Sequence, residues 1–167
     1  MKTLPKKSAG FTLIEILVAL TIVAILAVSV FVALNPAQRL KDAKDTRRAS
    51  DVDSILTAIH QAVVDNKGSM PTNMPAEDTE TQLGSGASGC ALSTTHCTIA
   101  ATACSNLMAN VAIDLVPYLA SMPIDPVGSA GGADATKTGY SVKRDTNGII
   151  TVKACNTDGT VVVSASR

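Results

Sequence analysis

Aromatic side chains are nearly missing from this 167-residue chain: it has no tryptophan, and Phe11, Phe31, Tyr118 and Tyr140 make up the whole set. A surface that holds single-stranded nucleic acid by stacking needs several such faces in register. Four scattered rings, one of them inside an apolar run, do not provide one. An excess of positive charge is missing too, because 14 basic side chains balance 14 acidic ones. General attraction to a polyanion is therefore not favoured, and a local pair such as Lys143-Arg144 leaves room only for weak contact. Histidine is limited to His60, within a helical pattern, and His96, beside a cysteine, while the many serines form no recognisable nucleophile motif. The chain gives no sign of catalysis and implies no cofactor.

Charge is also absent from Ile16 to Leu34, where only Thr21 and Ser29 are polar. A helix over this stretch is long enough to cross a bilayer. Lys2, Lys6 and Lys7 precede it with no acid among them, which is the flank expected on the cytoplasmic side and sends the remainder of the chain outward. Glu15 stands at the mouth of the run, beside apolar Phe11, Leu13 and Ile14. A carboxylate at the centre of a membrane helix costs roughly 2.5–3.5 kcal/mol on insertion scales, and less near an end, so its presence calls for a partner. An ordinary secretory signal carries its small-residue cleavage site after the apolar core; here Ser8, Ala9 and Gly10 come before it. Cleavage at that point would leave the apolar segment in the mature protein.

The string Gly10-Phe11-Thr12-Leu13-Ile14-Glu15 behind a short lysine-containing leader resembles the class III signal of type IV pilins and of the pseudopilins of type II secretion. The resemblance implies cleavage by a prepilin peptidase between Gly10 and Phe11, N-methylation of the new Phe11 amine, and storage in the inner membrane before the assembly machinery builds a homo-oligomeric helical filament outside the cell. It also gives Glu15 its partner, the Phe11 amine of a neighbouring subunit. Each charge is costly alone in an apolar bundle, whereas the pair is tolerable and sets the axial register. The alternative is that Glu15 caps the start of its own helix. Removing residues 1–10 would leave 11 basic against 14 acidic side chains.

Pro36 interrupts the helical pattern and predicts a kink or local unwinding over 32–36. From there to Gly68 the chain has no glycine, and Leu40, Ala43, Val52, Ile55, Leu56, Ile59, Ala62 and Val63 recur at helical spacing, which predicts an amphipathic helix. Its first half is mostly charged, with Lys41/Asp45, Arg47/Asp51 and Asp45/Arg48 at helical pair spacings; these form either a solvated face or a contact between subunits. Residues 68–98 read as a surface loop, and Leu107, Met108, Val111, Leu115 and Leu119 predict a short helix over 104–121. Asn147-Gly148 marks a hairpin between strands near 139–145 and 149–155, and Asp158-Gly159 introduces a third run, Thr160 to Ser164.

Cys90, Cys97, Cys104 and Cys155 all lie beyond the membrane segment. An even count in an exported domain reads as two disulfides with three possible connectivities. We expect Cys90–Cys97 within the loop and Cys104–Cys155 between helix and sheet; the spacing lacks the close pairs of a structural zinc site. The element "MPIDPVG", Met122 to Gly128, also resembles the C-terminal domains of major pseudopilins and related pilins, some of which bind calcium nearby. Asp125, Asp134 and Asp145 are weak oxygen-ligand candidates without the spacing of a calcium loop.

The expected architecture is α+β and pilin-like: a long N-terminal helix, half membrane segment and half amphipathic, packed on a small antiparallel sheet. Its parts are a cleaved leader over 1–10, an assembly helix over 11–35, an amphipathic helix over 36–67 and a globular head over 68–167. The functions consistent with it are a type IV pilus subunit first, then a secretion pseudopilin, then an adhesive or DNA-uptake pilin, the last disfavoured by the missing rings and charge.

Overall fold

The computed structural model describes residues 10–126, 133–159 and 161–167. Most of the expected leader, the end of "MPIDPVG" and Thr160 lie outside the described residues. Two compact units divide at Arg39/Leu40.

In the first unit, α1 runs from Leu13 to Leu34 and none of its residues is buried. At about 1.5 Å per residue its 22 residues extend roughly 33 Å, enough for a hydrocarbon core of about 30 Å. Its two internal hydroxyls bond back to the helix, Thr21 Oγ1 to the Val18 carbonyl at 2.8 Å and Ser29 Oγ to the Ile25 carbonyl at 2.9 Å. The outward surface is thereby left apolar. Asn35 caps α1 in the left-handed conformation, φ 40° and ψ 68°. Its carbonyl then accepts from the amides of Gln38 and Arg39. Pro36 opens α2, Pro36–Asp65, where its missing N–H is one that a first turn leaves unpaired anyway. The interruption expected over 32–36 is thus concentrated at Asn35.

In the second unit, Val52, Ile55, Leu56, Ile59 and Ala62 of α2 are buried against the sheet. Four antiparallel strands lie in the order β1 (Glu80–Gln82), β4 (Tyr140–Arg144), β5 (Ile150–Ala154), β6 (Ser164–Ser166). The pairs Tyr140↔Ala154 and Val142↔Val152 set the register. Alternation then puts Tyr140, Val142, Ile150 and Val152 on the core face. The turn between β4 and β5 is closed by Asp145, whose Oδ1 accepts from the amides of Asn147 and Ile149. Gly148 there adopts φ 84°, a conformation glycine reaches without steric cost. On the other face, Lys143 and Lys153 reach Asp78 at 3.1 Å and Glu80 at 3.1 Å.

Residues 68–98 are more structured than their composition suggests. They contribute β1 and β2 (Leu92–Ser93), and β2 pairs with β3 (Thr98–Ile99) in a small hairpin. Residues 104–121, by contrast, form turns and not the expected helix. The Ser105 amide donates to the Gln82 carbonyl and its carbonyl accepts from Gly84, so the start of the segment is held extended beside β1. Leu107 and Leu115 are both buried, but from separate turns. The third run begins pairing at Ser164, later than expected, because the amides of Asp158 and Gly159 donate to the Asp45 carboxylate of α2 at 3.1 Å each.

The disulfides are Cys90–Cys104 and Cys97–Cys155, replacing the expected Cys90–Cys97 and Cys104–Cys155. The β2–β3 hairpin explains the exchange. It brings its two ends together, where the Cys90 amide donates to the Thr102 carbonyl, and turns Cys97 toward buried Ser141 and the end of β5. On the chain-entropy relation, opening Cys97–Cys155, separation 58, costs about 4 kcal/mol, against about 3 for Cys90–Cys104, separation 14. Urea unfolding of Cys97→Ser and Cys90→Ser chains is expected to show the larger loss in the first. The opposite order would mean that native-state strain outweighs loop closure.

Candidate functional site

The N-terminal site is built by the first turn of α1. Thr12 holds the extended N-cap conformation, φ −84° and ψ 151°. Its Oγ1 accepts from the Glu15 amide at 3.3 Å, and Glu15 Oε2 accepts from the Thr12 amide at 2.8 Å and from Thr12 Oγ1 at 2.9 Å. This is a reciprocal capping box, which satisfies donors that a helix start otherwise leaves open. In the uncleaved chain, therefore, Glu15 caps its own helix, and Oε1 takes no part in the box. Immediately upstream, Gly10 has no heavy atom near enough to contact an added Cβ, and Phe11 is 85% exposed. The Gly10–Phe11 bond is thus left uncovered by the described residues.

The remaining candidates are dispersed. Asp134 Oδ1 accepts from the Thr136 hydroxyl and from the amides of Thr136 at 2.7 Å and Lys137 at 3.0 Å, and these contacts, the hydroxyl first, hold its pKa below the ordinary carboxylate value. Asp145 closes the hairpin turn. Asp125 is fully buried and forked by Arg48, whose Nε and Nη2 donate to its two oxygens at 2.8 and 2.9 Å. The structure does not bring the three together. Among the described residues, no three or more His, Cys, Asp or Glu side chains are placed to hold a metal ion.

Arg48 is the polar centre that spacing alone did not identify. Its Nη1 also donates to Asp45 at 2.6 Å and to Asp158 at 2.9 Å, and its side chain is completely buried. The cluster ties α2 to the Met122–Pro126 segment and to the turn after β5. Burial alone would lower the Arg48 pKa, but hydrogen bonds to Asp125, Asp158 and Asp45 more than offset it and hold the guanidinium above its ordinary value. Burial likewise works to raise Asp45, and the bond from Arg48 together with the Asp158 and Gly159 amides outweighs it, so its carboxyl stays below the ordinary range. Nearby, Gly139 at φ 83° leaves space that a Cβ would contest with the Asp125 Cβ at 2.8 Å. The Asp45/Arg48 spacing was visible in sequence, but nothing in it pointed to a partner 77 residues away. The only local signal was an acid between two prolines.

Residues 5–31 match the prokaryotic N-terminal methylation motif, the class III signal of type IV pilins and pseudopilins. No curated protein and no solved structure matches the chain.

Proposed function

We propose, with that methylation signal as the premise, that this chain is the structural subunit of an extracellular type IV pilus filament, cleaved after Gly10 and assembled through α1. The observation that carries the reading is α1 itself. Twenty-two residues, none buried, begin at Leu13, just past the Gly10–Phe11 bond, with Glu15 as their single charged side chain. An apolar helix so exposed is accounted for first by the bilayer and then by a bundle of identical helices. Cleavage creates an ammonium on Phe11, and a neighbouring Glu15 is the group able to compensate it. Both tyrosines of the second unit are bonded to aspartates, Tyr118 to Asp65 and Tyr140 to Asp51, which supports a structural role over base stacking. A secretion pseudopilin is the second reading, favoured by the P-x-D-P segment.

Processing supplies the test. In sheared surface material, intact-mass analysis is expected to find a chain beginning at Phe11, one methyl group on its amine, and residues 16–34 retained. A mature chain starting near Leu34 would remove the basis for assembly. Long filaments of this chain favour the pilus, whereas short or absent filaments with a secretion defect favour the pseudopilin.

A further inference from the structure

The second unit carries an exposed groove that neither the core nor the N-terminal site explains. Two recesses of about 610 and 520 Å³ share Thr57, Gln61 and Tyr118 and so form one continuous trough beside α2. Asp53 and Asp65 lie on it, with Arg167 the one lysine or arginine along its described lining. The Tyr118 hydroxyl donates to Asp65 at 2.8 Å and keeps that carboxylate on the groove wall.

The opposite end of the same helix carries the opposite sign. From Lys41 to Arg48 there are four cations and two acids, while from Ser50 to Asp65 there are three acids and no lysine or arginine. Lys41 and Arg47 are exposed and Lys44 is half-exposed. This order runs against the helix dipole, which favours acids in the first turn and cations in the last; α2 has neither. The dipole therefore does not account for the arrangement. Within the subunit Arg48 is taken up by Asp45, Asp125 and Asp158, and Arg47 lies 3.8 Å from Asp51. Lys41 and Lys44 at one end of the helix and Asp53 in the trough are suited instead to a complementary surface on another molecule.

We propose that this trough docks the Lys41–Arg47 face of α2 from a second copy of this chain, a contact that deepens the filament reading above and rests on it. The two patches differ, so the contact is head-to-tail, and such contacts propagate into an open helical array instead of closing a dimer. With the helices parallel, the centres of the two patches are about 15 residues apart, which sets an axial step of about 22 Å at roughly 1.5 Å per residue.

The test is charge reversal in the full-length chain, produced in an assembly-competent host and scored by sheared filament mass. Lys41→Glu and Asp53→Lys, which the offset of about 15 residues brings within one helical turn of each other, are each expected to lower it about tenfold or more, since each places like charges in contact. The double variant is expected to recover most of the loss. Folding is monitored separately through the Cys90–Cys104 and Cys97–Cys155 peptides. If correctly bridged single variants assemble like the unaltered chain, or if the double variant recovers nothing, the groove contact is wrong and the subunit reading survives. If the unaltered chain, cleaved and bridged, gives no filaments, the subunit reading fails and takes this contact with it.

Discussion

A Glu15→Gln chain is expected to enter the membrane and be cleaved after Gly10, yet to yield at most about a hundredth of the normal filament mass. The substitution isolates charge from helix capping. Thr12 and Glu15 form a capping box, and glutamine serves at the third helical position as glutamate does, so the start of α1 is preserved. What disappears is the counter-charge that the proposed pairing supplies to a neighbour's Phe11 ammonium. Breaking a buried ion pair by removing one partner costs about 3–5 kcal/mol, and about 1.4 kcal/mol is already tenfold in an equilibrium. Capping alone predicts the contrary, because a carboxylate that no longer needs desolvating makes insertion easier. Methylation of Phe11 must be measured in the same material, so that a loss of that expected modification, four residues from Glu15, is told apart from a loss of the pairing. Normal filament mass from a cleaved, methylated Glu15→Gln chain would defeat the pairing.

An Arg48→Met chain is expected to lose about 3–5 kcal/mol of stability, the range for a buried charge left without its partner. Asp125 is the reason: its side chain is wholly buried, and both of its oxygens accept from this guanidinium. Asp45 and Asp158 would lose the same partner but are partly exposed, so water takes up part of their loss. Asp125→Asn should cost less, because Arg48 keeps its other two carboxylates. The pH dependence has a definite sign. Asp45 has its folded pKa below the unfolded value, so its contribution is present above about pH 4 and is lost as the pH falls through the folded value. Arg48→Met should flatten that acid limb as well as lower the plateau. Urea unfolding of the full chain in detergent, between pH 3 and 7, reads both effects. A plateau loss below about 1 kcal/mol would show that solvent or rearrangement satisfies Asp125.

Local chemistry explains what could be read in advance. An uncharged run from Ile16 to Leu34 dictates an exposed apolar helix whatever follows it, and Val52 through Ala62 at helical spacing dictate one buried face. Asn147-Gly148 closes a hairpin because glycine takes φ 84° there and Asp145 bonds the turn amides. Each of these rests on residues within a few positions of one another.

The sequence by itself therefore determined the membrane-length helix, the acid at its mouth, the amphipathic helix and the β4–β5 hairpin. Tertiary structure alone decided which cysteines meet, that 104–121 is turned and not helical, and that Arg48 closes on Asp125. Loop-closure entropy rises by only about 0.6 kcal/mol for each doubling of length, so spacing hardly distinguishes one cysteine or charge partner from another. A short extended segment held beside β1 and a hairpin turned toward β5 supply the difference. Those contacts and the Arg48–Asp158 pair join residues 22 to 110 positions apart, beyond the reach of any local pattern.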